Sequence, residues 1–296
     1  MSSAREMRMR IRSVKNIAQV TRALETVSAS KVRKAMQAVT ATRPYAEKAW
    51  KVIVHIARQP GSGTLHPLLT ERKEIRKVLV LLLSSDRGLC GAYNVNILRE
   101  TLLHFRNLGK PVSYVSAGRK GRDLLLRRGQ KVVADFSHLP SPPSYMDVSA
   151  IGRVAVEAFL NGEVDQVFLA FTDFHTMVKQ EIVIRQLLPI QVELAQPGVK
   201  GFNVTHKMSN AVFIYEPDQD EILSNVIPRF TALQIYQAIL SAQASEHAAR
   251  MIAMRNATDN AQDLIRELQL DYNKARQQAI TSDMLDITSG AEALNK

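Results

Sequence analysis

RFTALQIYQAILSAQASEHAARMIAMRNATDNAQDLIRELQLDYNKARQQAITSDMLDITS, residues 229–289, contains neither proline nor glycine. Pro228 precedes the run and Gly290 follows it. As one helix it would extend roughly 90 Å at ~1.5 Å per residue, whereas helices of globular domains usually run to about 8–20 residues. A compact domain has no room for such a rod, so it must project. Apolar or small positions recur along it at steps of three and four: Leu233, Tyr236, Leu240, Ala244, His247, Met251, Met254, Thr258, Ala261, Ile265, Leu268, Tyr272, Ala275 and Ala279. The step from Leu240 to Ala244 is an extra four and shifts the phase locally. The remainder reads as a coiled-coil seam.

A seam needs a partner, and the other end of the chain offers one. Residues 1–43 also lack glycine and proline. Ile11, Val14, Ile17, Val20, Leu24 and Val27 form an apolar stripe that continues through Val32, Ala35 and Val39. Small residues such as Ala18, Ala23, Ser28 and Ala29 let two helix backbones approach closely. Charge favours the same pairing: residues 1–58 carry 13 Lys/Arg against 3 Asp/Glu, and residues 218–296 carry 7 against 11. Each exposed ion pair adds little, but the opposite net charges attract. Separate packing of each end on a globular core is the alternative, and so long an unbroken run is hard to wrap on one.

The middle of the chain has a different pattern. Gln59 to Thr64 reads as a break. Lys77 to Leu83 is a short continuous apolar run of the kind found in a buried parallel strand. Strands are expected also at 112–115, 132–136, 167–171, 181–187 and 211–215, with helices at 92–108, 118–128 and 148–160. His138 to Ser144 is a proline-rich loop. Strands alternating with helices predict a Rossmann-like α/β domain with a mainly parallel sheet. The expected fold class is therefore α/β: a long antiparallel coiled coil of the N- and C-terminal helices, with the α/β domain inserted. The expected boundaries are 1–58 for the first helix, 70–216 for the α/β domain and 218–296 for the last helix, which pairs with 1–58.

Composition limits the function. Cys90 is the only cysteine, so no intramolecular disulfide forms, which suits a reducing compartment. No run of about 18 apolar residues predicts a membrane span. The basic start, Met1 to Arg12, lacks the apolar core of a signal peptide and is read as part of the mature protein.

The loop Ser85-Asp86-Arg87-Gly88-Leu89-Cys90-Gly91 follows a strand and precedes a helix, where doubly wound folds bind phosphates. It matches neither GxGxxG nor a P-loop, since no GK[ST] is present. Asp86, Arg87, Gly88 and Gly91 are therefore expected to build a structural and docking loop. Cys90 has no neighbouring His or second Cys to activate it and reads as a buried structural thiol. The histidines show no HxxxH or HExxH spacing, so no metal ligands are assigned. His247 reads as a packing or solvent-facing residue, and Asp283 with Asp286 as a solvated face. Arg5, Arg8, Arg10, Arg12, Lys15 and Arg22 could follow nucleic-acid phosphates, yet no aromatic residue interleaves with them. A basic face meeting an acidic protein surface or anionic headgroups accounts for them equally well.

Three segments carry a resemblance to a known family. They are Ile11 to Lys31 (IRSVKNIAQVTRALETVSASK), Ser85 to Gly91 (SDRGLCG) with Asn94, and Ser245 to Met251 (SEHAARM) with Met254, Ala257, Thr258, Asn260 and Ala261. The third continues as Tyr272 to Thr281 (YNKARQQAIT), then Gly290 and Ala291. In order and spacing the chain resembles the gamma subunit of F-type ATP synthases along nearly its whole length. Leu24 and Ser28 depart from the usual wording, where methionine and alanine are common, and roughly keep the size class. No cysteine pair marks the thiol-regulated insertion of chloroplast members.

The resemblance implies a rotor. It would transmit torque between an ion-driven membrane c-ring and the alpha/beta catalytic hexamer, coupling ion translocation to ATP synthesis or hydrolysis. Implied partners are the alpha and beta subunits, the epsilon subunit and the c-ring. The implied place is the cytoplasmic face of a bacterial cell membrane, held peripherally. No catalytic residue, cofactor, bound nucleotide or nucleic acid is expected. Arg276, Gln277 and Thr281 match family positions that meet a beta-subunit loop. The seam residues singled out are Ile11, Val14, Leu24, Leu233, Leu240, Met251, Ile265 and Leu268. The alternatives from the residues alone are a nucleotide-binding α/β enzyme and a nucleic-acid-binding coiled coil.

Overall fold

The computed structural model describes residues 4–57, 67–72, 74–190 and 219–294. The expected break at 59–64 and strand at 211–215 lie outside the described residues. Helix α1 spans Ala4–Ala57 and helix α5 spans Gln219–Leu294. Both run through prolines, Pro44 in α1 and Pro228 in α5, and α5 also passes Gly290. The run free of proline and glycine, 229–289, thus continues as helix beyond both of its flanking residues. A proline removes one intrahelical hydrogen bond, and next to Pro228 the burial of Ile227 and Phe230 opposes that loss.

The chain divides into two units: Met1–Ser28 with Arg250–Lys296, and Ala29–Ala249. The second unit is built on a five-stranded sheet in the order β3-β2-β1-β4-β5. Its strands are β1 (Val78–Leu83), β2 (Val112–Ala117), β3 (Lys131–Asp135), β4 (Gln166–Phe174) and β5 (Gln180–Leu188). The first four are parallel, and β5 runs antiparallel to β4. The helices between strands are α2 (Tyr93–Arg106), α3 (Arg119–Arg127) and α4 (Tyr145–Leu160).

Strand β1 shows why the sequence demands this arrangement. All six of its side chains are buried. Leu79, Leu81 and Leu83 enter a core with Val148, Ile151 and Phe159 of α4 and Ile227, Phe230 and Ile239 of α5. Val78, Val80 and Leu82 enter the opposite core with Ile97, Leu98 and Phe105 of α2 and Leu125 of α3. A central strand covered on both faces must be apolar throughout. Each such side chain contributes roughly 1.5–3 kcal/mol by burial.

In this unit α5 is a core helix. Ile227, Phe230, Thr231, Leu233, Ile235, Ile239, Leu240, Ala244 and Ala248 are all buried, and they lie around its whole circumference. The extra four-residue step at Leu240–Ala244 falls here, where no single seam direction is imposed. Gly152 of α4 allows close approach to α5: a Cβ there would stand 3.0 Å from the Cβ of Ala232.

In the first unit the two long helices pair along a seam. The Thr21 and Thr258 hydroxyls meet at 2.7 Å. Ile11, Thr21 and Ser28 are buried on α1, and Met254, Thr258 and Ala261 on α5. Val14, Ala18, Leu24, Met251, Ile265, Leu268, Tyr272 and Ala275 are half-buried. The helices run antiparallel. An antiparallel run through the threonine contact brings the start of α1 level with Ala275, and burial on α5 ends at that residue. One expectation is corrected: Ile17, Val20 and Val27 are 53%, 59% and 52% exposed. The buried and half-buried positions of α1 keep a strict heptad from Ile11 through Ala18, Thr21 and Ser28. Ile17, Val20 and Val27 fall on a flank, and the smaller Ala18, Thr21 and Ser28 stand where the two backbones approach.

Candidate functional site

An open α/β sheet offers ligands the crevice at the carboxyl ends of its strands, where strand order reverses. Here α5 occupies that edge. Leu83, Ser84, Asp86, Ala117 and Gly118 face Ile239, Ala242, Gln243 and Glu246 across a remaining cavity of about 40 Å³. At roughly 10–15 Å³ of such space per water, that is room for a few water molecules and far below what a nucleotide needs.

Directional contacts hold α5 in place. The Tyr93 hydroxyl donates to the Ala242 carbonyl at 3.1 Å. Ser241 donates to the Asp173 carboxylate at 2.6 Å and accepts from the Phe174 N–H at 2.9 Å. Gln243 donates to the Pro140 carbonyl at 2.8 Å, and Tyr236 to the Pro143 carbonyl at 3.3 Å. Ser141 Oγ and His247 Nε2 are 2.9 Å apart. The proline-rich loop suits this task, because proline keeps its carbonyl acceptor and has no N–H to satisfy. At the end of β4, Asp173 also faces Arg185, whose burial pulls its pKa below the ordinary value while Asp173 acts the other way.

The loop after β1 is filled by its own polar groups. Asn94 accepts from the Ser85 N–H at 3.0 Å, and its amide donates to Ser85 Oγ at 2.7 Å and to Cys90 Sγ at 3.2 Å. Cys90 is buried. Asp86 accepts from the Arg119 N–H at 2.9 Å and from the His138 N–H at 3.0 Å. Ser84 Oγ accepts from the Gly121 N–H at 2.9 Å. The N–H groups at the start of α3, the natural seat for an anion, are thus engaged by Asp86 and Ser84. Gly118 is required there: its φ is +116° and a Cβ would lie 2.3 Å from the Ser84 carbonyl oxygen. Gly91 also has positive φ, +59°, as does Leu89 at +64°. Gly88 has open space around it and no such φ. Arg87 is exposed.

The remaining expected residues lie elsewhere. Arg276, Gln277 and Thr281 are exposed on a stretch of α5 in which every residue from 276 to 290 is exposed. The Thr281 hydroxyl donates back to the Gln277 carbonyl at 2.9 Å. The six basic residues Arg5 to Arg22 are exposed along α1, and Asp283 and Asp286 on α5. Among the described residues no cluster of His, Cys, Asp and Glu could hold a metal ion. Sequence reasoning missed Tyr93, Ser141, Asp173, Tyr236, Ser241 and Gln243 as one contact set. The available signal was the run of small and polar residues from Ser241 to Ala249, which permits close approach to a sheet edge.

The ATP synthase family profile matches residues 3–294. A Dehalococcoides mccartyi ATP synthase gamma chain is 46% identical over 295 residues, covering 99% of this chain and 100% of that protein. A Herpetosiphon aurantiacus ATP synthase gamma chain is 43% identical over 305 residues, covering 100% of both. The chain belongs to the ATP synthase gamma-chain family. Among solved structures, a chain of the Euglena gracilis mitochondrial ATP synthase (OSCP/F1/c-ring, rotational state 3) superposes with a TM-score of 0.66 at 17% identity, covering 98% of this chain and 94% of that one. A chain of the rotor of the same enzyme in rotational state 1 gives 0.62 at 17% identity, with 94% and 98% covered. At that identity the likeness establishes the fold. The strings at 11–31, 85–91 and 245–281 lie on α1, in the loop of Asp86, and along α5 from the sheet edge to its exposed end.

Proposed function

We propose that this chain is the central-stalk rotor of an F-type ATP synthase and carries torque between an ion-driven c-ring and the alpha/beta hexamer without chemistry of its own. The observation that supports this most directly is the character of α5. The helix is locked into an α/β core near Ile227 to Ala248, paired through Ala275, and exposed on all sides from 276 to 290. Ile280, Met284, Leu285 and Ile287 are 54–72% exposed there. Large apolar side chains grouped and exposed at one helix end point to a contact site, and apolar contacts hold no fixed angle, which suits a bearing.

In this reading Arg276, Gln277 and Thr281 meet a beta-subunit loop, and the loop of Asp86, Arg87, Gly88 and Gly91 shapes the docking domain. The working division is 1–58, 70–216 and 218–296. The partners are alpha, beta, epsilon and the c-ring, and the site is the cytoplasmic face of the cell membrane. No helix among the described residues is long and apolar enough to cross a membrane, so attachment through the c-ring and epsilon would be peripheral. The test is capture of the tagged chain from native membrane extract. Recovery of alpha, beta and epsilon together with ATPase activity is expected, and a chain recovered without alpha and beta removes the reading.

A further inference from the structure

We propose that the contacts between α5 residues 236–247 and the carboxyl edge of the sheet form a torque-bearing joint, with Ser241 and His247 as its positioning residues. The inference rests on the rotor reading and names the groups through which the α/β domain would turn the helix. A rotor's two functional ends are loaded in opposite senses, so the helix must not roll in its socket. Apolar packing alone does not prevent rolling, because it is non-directional. Hydrogen bonds do, because they weaken steeply away from their preferred angle.

The angular placement of the contacts supports this. At about 100° per residue, Tyr236, Gln243 and His247 fall within a narrow sector of α5. All three meet the loop after β3, at Pro143, Pro140 and Ser141. Ser241 lies roughly 140° round the helix from Tyr236, and it meets Asp173 and the Phe174 N–H at the end of β4. A helix gripped from one side can pivot about that grip. Gripped on two sides, it cannot roll either way without lengthening a bond on at least one of them.

Both jaws are themselves anchored. His138 at the start of the loop donates its N–H to Asp86, and Ser144 at its end caps α4 with Asp147. Strand β4 is paired on both sides, with β1 and β5. His175 Nε2 lies 3.1 Å from Glu181 across the β4–β5 pair, which ties the end of β4 to β5. The seat between the jaws is filled by buried Ala238, Ile239 and Ala242, which prevent sideways displacement but not rotation.

The test uses the complete, membrane-reconstituted synthase carrying Ser241→Ala with His247→Ala, and separately Ser141→Ala, which removes the His247 partner from an exposed loop. Two activities are compared: ion-driven ATP synthesis, which loads the joint, and hydrolysis by the detached catalytic part, in which the α/β domain carries no load. The double variant is expected to lower synthesis by about threefold or more, because the bonds that fix the helix's angle are lost, with detached hydrolysis unchanged. Torsional stiffness, read from a bead fixed to the α/β domain, is expected to fall. Ser241→Thr with His247→Gln keeps polar groups at both places and is expected to restore synthesis. Parental synthesis and stiffness in the double variant and in Ser141→Ala overturn the joint. An equal fall in both activities assigns these residues to assembly and also overturns it. Failure of the parent chain to enter the complex is a different outcome, and it removes the rotor reading itself.

Discussion

The hydroxyls of Thr21 and Thr258 lie 2.7 Å apart in the buried seam between α1 and α5. Each also reaches its own helix: Thr21 lies 3.1 Å from the Ile17 carbonyl, and Thr258 lies 2.9 Å from the Met254 carbonyl. A hydroxyl has one proton, so one threonine donates across the seam while the other donates to its own backbone. The pair is a polar step in an otherwise apolar and small-residue seam. Polar pairs at such positions specify register at some cost in stability.

Thr258→Val keeps the shape and removes the cross-seam bond, leaving Thr21 bonded to its own backbone. A loss of about 0.5–1.5 kcal/mol is expected, measured by denaturant unfolding of the whole chain. Thr258→Leu adds volume where the backbones approach closely and is expected to cost more, about 1–3 kcal/mol. Equal stability of the two variants would mean that the seam is not packed at this point.

Register is checked directly by cross-linking. Thr21→Cys with Thr258→Cys is expected to form a disulfide under mild oxidation without denaturant. Val20→Cys with Thr258→Cys is expected to fail, since Val20 is 59% exposed on the flank of α1. The reverse result would place the apolar flank, and not the small-residue stripe, in the seam.

The two glycines of the loop after β1 should respond differently. Gly91 holds φ +59°, which costs a residue with a Cβ about 1–2 kcal/mol. Gly88 has open space and no left-handed φ. Gly91→Ala is therefore expected to lower the thermal midpoint, and Gly88→Ala to leave it near the parent value. Matching midpoints would show that the loop relaxes freely around Gly91.

Acid stability should depend on Asp165. Burial pushes its carboxyl up, but the Arg72 guanidinium at 2.9 Å and the N–H groups of Arg76 and Lys77 outweigh this, and its pKa lies below the usual range. A depressed folded value means that the stabilisation is present above the unfolded pKa of about 3.9 and is lost as pH falls through the folded value. Asp165→Asn is expected to be less stable than the parent at neutral pH and to lose less stability on acidification below pH ~4. Thermal unfolding across pH measures both, and parallel curves would remove Asp165 from the acid response.

Arg276 lies on the fully exposed stretch of α5. Arg276→Ala is expected to leave the thermal midpoint of the isolated chain unchanged and to lower ATP turnover of the assembled complex. A charged hydrogen bond of about 1.5–3 kcal/mol in one angular state would be lost. Parental turnover and dwell positions in single-molecule rotation would exclude Arg276 from the contact.

Two features followed from the sequence alone because each depends on neighbours close along the chain. The glycine- and proline-free run made α5 a long helix, and from Met251 to Ala275 its steps of three and four are buried or half-buried as a seam requires, whereas Leu233 and Leu240, on the same rhythm, are buried in the α/β unit. The apolar run of β1 demanded cover on both faces. Tertiary structure decided the rest. On α1, Ile17, Val20 and Val27 recur at helical spacing just as Ala18, Thr21 and Ser28 do, and local pattern cannot choose between two stripes of one helix. The close approach of α5 chose the small one. Pro44 and Pro228 each remove a helical hydrogen bond, yet both helices continue through them, and at Pro228 the buried Ile227 and Phe230 oppose the loss. The joint at Ser241 and His247 joins residues 68 and 106 positions apart. No spacing rule reaches that far, so only the folded sheet edge brings those groups together.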